Sequence, residues 1–419
     1  MKLKKLLLIL TISTFIPSIN AEELSIACGA VGAERQYCID SVNQWSEKTG
    51  HTVNVLRTPD SSSERLVMYQ MLLREKHDTV DVFQIDVVWP GLLGKYLLDL
   101  SKYIPKKDIN AHSASLITNN TIDGRLVAMP WYVDIGLLYY RKDLLKKYDF
   151  EPPRTWEEMG KISAAIKRGE GNNELAGYLF QADNYEGLTC NVMEWFGSTG
   201  NSETINKDGV QFVTPENAQV AELIRQFLID GISPSSLLHE REEDVRKTFQ
   251  EGNAIFMRNW PYAWNLLLDS SQSAVAGKVG VTVLPGAKNG VRGAGTLGGW
   301  QLSVTRYSKH PDLAADLVNF MTSEAEQRDR LTKGYFPTRN ALYQEAPSTD
   351  IEPLFAAVGQ ALEHSVARPA NALERYYKNI SRVIYTDTNG FLEDTSISGV
   401  EYLKNMEEEI SRIIVNLKD

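Results

Sequence analysis

The chain has 419 residues, 54 acidic against 44 basic, for a formal net charge of −10, and it is 43% hydrophobic and 23% charged. That balance belongs to a globular protein, opposes binding to nucleic acid or an anionic membrane through bulk charge, and favours a neutral ligand. The length exceeds what one hydrophobic core usually serves, so two domains are expected.

The first residues, Met1-Lys2-Leu3-Lys4-Lys5, precede an apolar stretch from Leu6 to Ile16 and the small Ala21 before Glu22-Glu23. This pattern reads as a secretory signal peptide over residues 1–21, cleaved near Ala21, with the mature chain periplasmic. The apolar stretch is too short to span a bilayer, and no later window is long and apolar enough. Cys28 follows Leu24-Ser25-Ile26-Ala27, which alternates like a strand and is poorly placed for lipid attachment, so the mature chain is expected free of a tether. Cys28 and Cys38 are either a bridge from the first strand to the following helix or two buried small apolar side chains. With no Cys-x-x-Cys pair and six His, neither a metal nor a cofactor has support.

Leu24–Cys28 and Thr52–Leu56 read as strands, with a helix from about Ala33 to Lys48 between them. Ser61-Ser62-Ser63-Glu64 supplies a capping box that opens a helix rich in Leu and Met. Asp81–Ile85 is the next strand, with Asp86 at its carboxyl end. This β-α-β-α-β order implies a parallel sheet with helices on both faces. Ligands of such sheets lie beyond the carboxyl ends of the strands, which singles out Gly29 to Glu34 and Asp86. The Gly29-x-x-Gly32 turn would suit a phosphate, but Glu34 at the helix start opposes an anion and suits an acceptor for sugar hydroxyls. The plainer reading of Glu34 is a carboxylate that stabilises the helix N-terminus.

A second α/β pattern follows Tyr132-Val133-Asp134: a strand at Leu137–Tyr140, a break at Pro152-Pro153, and a helix capped by Thr155. Glu240 to Asp244 reads as the solvated face of a helix without function. Val279–Leu284 and Leu302–Thr305 are later strands, and Pro311 to about Thr322 is a helix. Arg258-Asn259-Trp260-Pro261-Tyr262-Ala263-Trp264 and Gly298-Gly299-Trp300 gather flat apolar faces beside Gly, Pro and polar groups. A pyranose has apolar C–H faces that lie against an aromatic plane and a rim of hydroxyls that need Asp, Glu, Asn or Arg. Any one of these aromatics is more simply a core residue; the clustering favours a sugar.

From Glu22 to its end the chain resembles the family 1 extracellular solute-binding proteins of bacterial ABC importers, and within them the trehalose/maltose-binding branch. The resemblance is carried by Val82 to Trp89 (VFQIDVVW), Met129 to Leu144 (MPWYVDIGLLYYRKDL), Tyr185-Glu186-Gly187-Leu188, Arg258 to Trp264, Thr296-Leu297-Gly298-Gly299-Trp300 and Arg368-Pro369. It implies an α/β fold of two lobes with an interlobe cleft, a non-catalytic monomer that holds a disaccharide, and the transmembrane subunits of an ABC permease as partner. The implied lobes are residues 22–132 with 300–338, and 133–299 with 339–419. Carried over position by position, Glu34, Arg65 and Asp86 match polar contacts of the first lobe, and Tyr132 and Asp134 match contacts at the first crossing. Trp260 and Tyr262 match an aromatic wall of the second lobe, Gly299 and Trp300 match the second crossing, and Arg368 matches a guanidinium that forks onto hydroxyls. Tyr377 fits the tyrosine that follows, with Tyr376 the alternative, and Tyr185 lines the cleft at a lower rank. The competing reading is a secreted glycoside hydrolase acting on a small α-glucoside, with Glu34, Asp86 and Asp134 as candidate carboxylates.

Overall fold

The computed structural model describes residues 21–415 apart from 30–31, 201–203, 207–208, 346 and 374–375, so the expected leader, Ala21 aside, lies outside the described residues. Among the described residues no helix is long and apolar enough to cross a membrane. The first sheet is built on β1 (Glu23–Ala27), which pairs in parallel with both β2 (Thr52–Leu56) and β3 (Val82–Asp86). The intervening helices are α1 (Glu34–Thr49) and α2 (Ser62–Arg74). All five residues of β3 are buried, as expected of a strand covered on both faces.

The carboxyl half of the cap signal at Ser61 departs from expectation. Ser61 Oγ accepts from the Glu64 N–H at 3.3 Å, but the Glu64 carboxylate turns outward to Arg241, also at 3.3 Å. A guanidinium of opposite charge is a stronger partner for a carboxylate than a backbone amide.

Strand β4 (Met129–Ile135) belongs to this first sheet, and after the single residue Gly136 the chain enters β5 (Leu137–Arg141) of a second sheet. A Cβ at Gly136 would overlap the Glu194 carboxylate, so the connection is made where only glycine fits. In the second sheet β5 lies antiparallel to both β7 (Ala254–Asn259) and β8 (Val279–Thr282), and β7 is parallel to β6 (Ala176–Leu179). The chain returns through β9 (Gly295–Val304), which runs antiparallel between β3 and β4. The sequence predicts a strand over Leu302–Thr305 alone and a purely parallel sheet. Both expectations are corrected: β9 starts seven positions earlier and makes the sheet mixed, because the glycines of Gly298-Gly299 are tolerated where a neighbouring backbone approaches closely.

Cys28 and Cys38 form a disulfide with Cα atoms 6.4 Å apart, so the strand-to-helix bridge is the alternative that holds. Cys190 is a free, buried thiol. Its microenvironment places it with the site below.

Candidate functional site

Eight tryptophans divide cleanly by burial. Trp45, Trp89, Trp131, Trp156, Trp195 and Trp264 are core, with Trp264 donating its indole N–H to the Asp350 carbonyl at 2.9 Å. Trp260 and Trp300 are the two left partly exposed, and both face one cavity between the sheets. Trp300 stands in β9 opposite Asp86 of β3 and Tyr132 of β4, so one rung of the sheet delivers an indole, a carboxylate and a phenol together. The same cavity receives Arg65 from the first turn of α2, Asp134 from β4, Tyr262 and Gly299, and Arg368. At Gly299 φ is +124° and a Cβ would sit 2.5 Å from the Tyr132 carbonyl; a Cβ at Gly298 would sit 3.0 Å from the Trp260 ring. These glycines let the indole and the crossing strand close against each other.

The polar groups are held in a defined order. Arg368 forks onto Asp86, Nη1 to Oδ2 at 3.0 Å and Nη2 to Oδ1 at 2.6 Å, and Nη1 also donates to Glu186 Oε1 at 2.9 Å. Glu186 opens α3 (Glu186–Gly197), and its second oxygen accepts from Ser381 at 2.5 Å. Burial pushes the Glu186 carboxyl up and Arg368 draws it back down. Arg65 spans the cavity with its guanidinium 4.5 Å from the Trp300 ring centroid while Nε donates to the Pro59 carbonyl at 3.3 Å. The Tyr262 hydroxyl donates to Glu243 at 2.8 Å, and the Trp260 N–H reaches Glu242 at 3.4 Å. Burial, reinforced by Glu34, lifts the Asp134 carboxyl to about 8, so it is largely protonated near neutral pH.

Three buried polar atoms of this cavity have no hydrogen-bond partner among the described residues: Arg65 Nη1, Asp134 Oδ1 and Arg368 Nε. A buried donor or acceptor without a partner costs about 1–3 kcal/mol, so these three atoms are where the cavity is least satisfied. The cavity itself is about 60 Å³, below the ~300–1,000 Å³ of ordinary small-ligand pockets. Ser62 and Glu186 also line an adjoining cavity of about 530 Å³.

Two residues named from the sequence stand elsewhere. Glu34 is one layer behind the wall, accepting from the Tyr132 hydroxyl and from Gln84 Nε2, the latter at 2.6 Å. Tyr377, at the start of the helix Tyr377–Glu393, lines the adjoining cavity and donates to Glu186 from behind. The alternative Tyr376 does not line either cavity. Tyr185 lines the main cavity and donates to Glu242 at 2.6 Å.

Several lining residues went unnamed, among them Asp60, Ser62, Glu186, Cys190, Glu242 and Tyr335. Glu242 corrects the reading of Glu240–Asp244 as a solvated face: the helix Glu242–Gln250 points its first residue into the cavity, and Glu243 anchors Tyr262. A mixed-charge run carries no sign of which residue turns inward. Glu186 lay within a quoted segment, Tyr185-Glu186-Gly187, and its position at a helix start was the available signal.

Residues 33–328 match the sequence model of a bacterial extracellular solute-binding protein. A probable ABC transporter-binding protein of Deinococcus radiodurans is 41% identical over 399 residues, 94% of each chain. The maltose-bound structure of MalE3 from T. maritima is 31% identical, covers 94% of this chain and 100% of its own, and superposes with a TM-score of 0.86. The GacH receptor of Streptomyces glaucescens, solved unliganded and with acarbose, is 20% identical with a TM-score of 0.80 over 94% of this chain and 99% of its own, a likeness of fold. These matches are to binding proteins, and the hydrolase alternative falls with them.

Proposed function

Because this chain belongs to the bacterial extracellular solute-binding protein family, whose members serve ABC transporters as substrate-binding proteins and not as enzymes, we propose that it is a periplasmic sugar receptor. Its ligand is a disaccharide of the trehalose or maltose type, an α-glucoside, and it delivers that ligand as a monomer to the transmembrane subunits of a permease. The lobes of this reading are residues 22–132 with 300–338, and 133–299 with 339–419, preceded by a cleaved leader at 1–21. The observation that carries it is the meeting of two partly exposed indoles with three unpartnered buried polar atoms in one cavity. Flat apolar faces and unsatisfied donors and acceptors together describe a pyranose and little else among neutral ligands. Similarity to a protein solved with maltose supports the same class.

Arg65, Asp86, Asp134 and Arg368 bind hydroxyls, Trp260 and Trp300 take the ring faces, Tyr132, Tyr262 and the Gly299 backbone complete the wall, and Glu34 and Tyr377 hold Tyr132 and Glu186 from behind. Binding works by population shift: the sugar favours the closed form by the contacts that both lobes make at once, and by no more than that difference. A thermal-shift screen of disaccharides on the mature protein tests this, since a ligand bound to the native state alone raises the midpoint. A saturable rise with trehalose or maltose is expected, with no glucose released during the incubation. Calorimetry showing no binding to any member of the panel at millimolar concentration would end the proposal.

A further inference from the structure

The adjoining cavity of about 530 Å³ has the size of a small-ligand pocket, and Ser62 and Glu186 are walls of both it and the sugar site. Its lining gathers the beginnings of four helices, each of nine residues or more. Ser62 opens α2, Glu186 opens α3, Arg241 immediately precedes the helix Glu242–Gln250, and Tyr377 and Lys378 open the helix Tyr377–Glu393. A helix N-terminus carries backbone N–H groups without intrahelical partners and the positive end of the helix dipole, so four of them around one space favour negative charge there.

The side chains point the same way. Five charged groups line the cavity: Glu64, Glu186, Arg241, Lys378 and Arg382. Both carboxylates are already paired, Glu64 with Arg241 at 3.3 Å and Glu186 with Arg368 at 2.9 Å, and Arg241 is held further by Asp183 at 2.5 Å. Lys378 and Arg382 are left over. They stand four positions apart on one helix, and among the described residues neither forms an ion pair. Lys378 donates to the neutral Gln70 at 3.0 Å, and burial, with the charges of Arg74 and Arg382 nearby, lowers its pKa. Like charges at this spacing destabilise a helix, so folding does not account for the pair. On the sugar side of the shared walls, Arg65 Nη1 and Arg368 Nε are also buried without a partner.

We propose that this cavity is a second binding site, for an anionic group on the ligand: Lys378 and Arg382 hold a carboxylate or phosphate carried by the sugar whose rings occupy the aromatic cavity. The inference rests on the sugar-receptor reading and changes the charge of the sugar. The negative charge of the chain as a whole does not oppose it, because exposed charges more than about 10 Å away are screened at ordinary ionic strength while the two cations act at contact.

The test measures binding by calorimetry for two pairs of probes that differ chiefly in charge: trehalose against trehalose 6-phosphate, and maltitol against maltobionate. Wild type is compared with Lys378→Gln/Arg382→Gln at about 20 mM and about 200 mM salt. The charged member of one pair should bind wild type about tenfold tighter than its neutral partner, the worth of one charge-assisted hydrogen bond. That advantage should shrink with salt and vanish in the double variant, while the neutral member binds both proteins within about twofold. A gain confined to the phosphate pair assigns a phosphate, and one confined to maltobionate assigns a carboxylate. Arg382→Gln alone alters an exposed side chain without an ion pair, so it should fold as wild type does and still cost the charged probe about threefold. Lys378→Arg/Arg382→Lys, which keeps both charges, should retain the preference. Charged members that bind no tighter than neutral ones, or a preference that survives in the double variant, would overturn the anion site and leave the sugar receptor standing. Charged members that bind while neutral ones do not would instead remove the neutral disaccharide and leave the anion site.

Discussion

Trp300 shows how much a single side chain decides in this cleft. It touches Arg65 on its face and Trp89 at 5.7 Å edge-on, and still leaves part of its ring open to the cavity. Trp300→Ala should remove a stacking surface and weaken trehalose or maltose binding by about tenfold, ~1.4 kcal/mol, within the range of aromatic contacts. The variant should remain folded by circular dichroism; undiminished affinity in calorimetry would refute the placement of this ring against the sugar. Asp134 gives a second test with a defined sign. Its carboxyl is raised to about 8 in the native protein, well above the ~3.9 of an unfolded aspartate. The native state therefore holds a proton that the unfolded state releases, and Asp134 contributes stability that declines as pH rises from about 4 to about 8. Asp134→Asn should gain stability relative to wild type across that window, read as a larger difference in urea midpoint at about pH 8 than at about pH 4.5. A constant difference at both pH values would show that Asp134 is not protonated in the fold. The family resemblance pointed to both residues, but residue type and local pattern rank neither, because burial separates Trp300 from Trp264 and Asp134 from any surface aspartate, and burial is a property of what packs around them.

Among elements, the first strand and helix are tied more tightly than their hydrogen bonds require. The Cys28–Cys38 bridge spans ten positions and fixes the turn that leads into Glu34 at the head of α1. Cys28→Ser/Cys38→Ser should lower unfolding stability by about 2–3 kcal/mol, the loop-closure contribution of a short bridge, and reductant should have the same effect on wild type and none on the variant. Equal urea midpoints for the two proteins would mean that the packing of Val42 and Trp45 alone holds α1 in place. Strand β9 teaches a different lesson. Its residues 295–301 include three glycines and an indole, composition that argues against a strand, yet they pair with β4 over most of their length. Local propensity lost to the two neighbours on either side, which supply ladder hydrogen bonds that override a weak intrinsic preference.

For the molecule as a whole, the two sheets meet at Gly136 and at β9, with the small cavity between them. Small-angle scattering should record a more compact particle on adding a recognised sugar to the purified protein, with the change saturating at the same concentration as calorimetric binding. Identical scattering with and without bound sugar would rule out lobe closure as the response. The sequence by itself determined the α/β alternation and the strands β1, β2 and β5 to within a residue or two, since periodicity and caps are local. The tertiary structure decided that Glu242 turns inward and that Glu34 and Tyr377 stand behind the wall. Those facts depend on segments dozens to hundreds of positions apart coming into contact, and the field and burial felt by a charge are set by all of its neighbours in space and not by those along the chain.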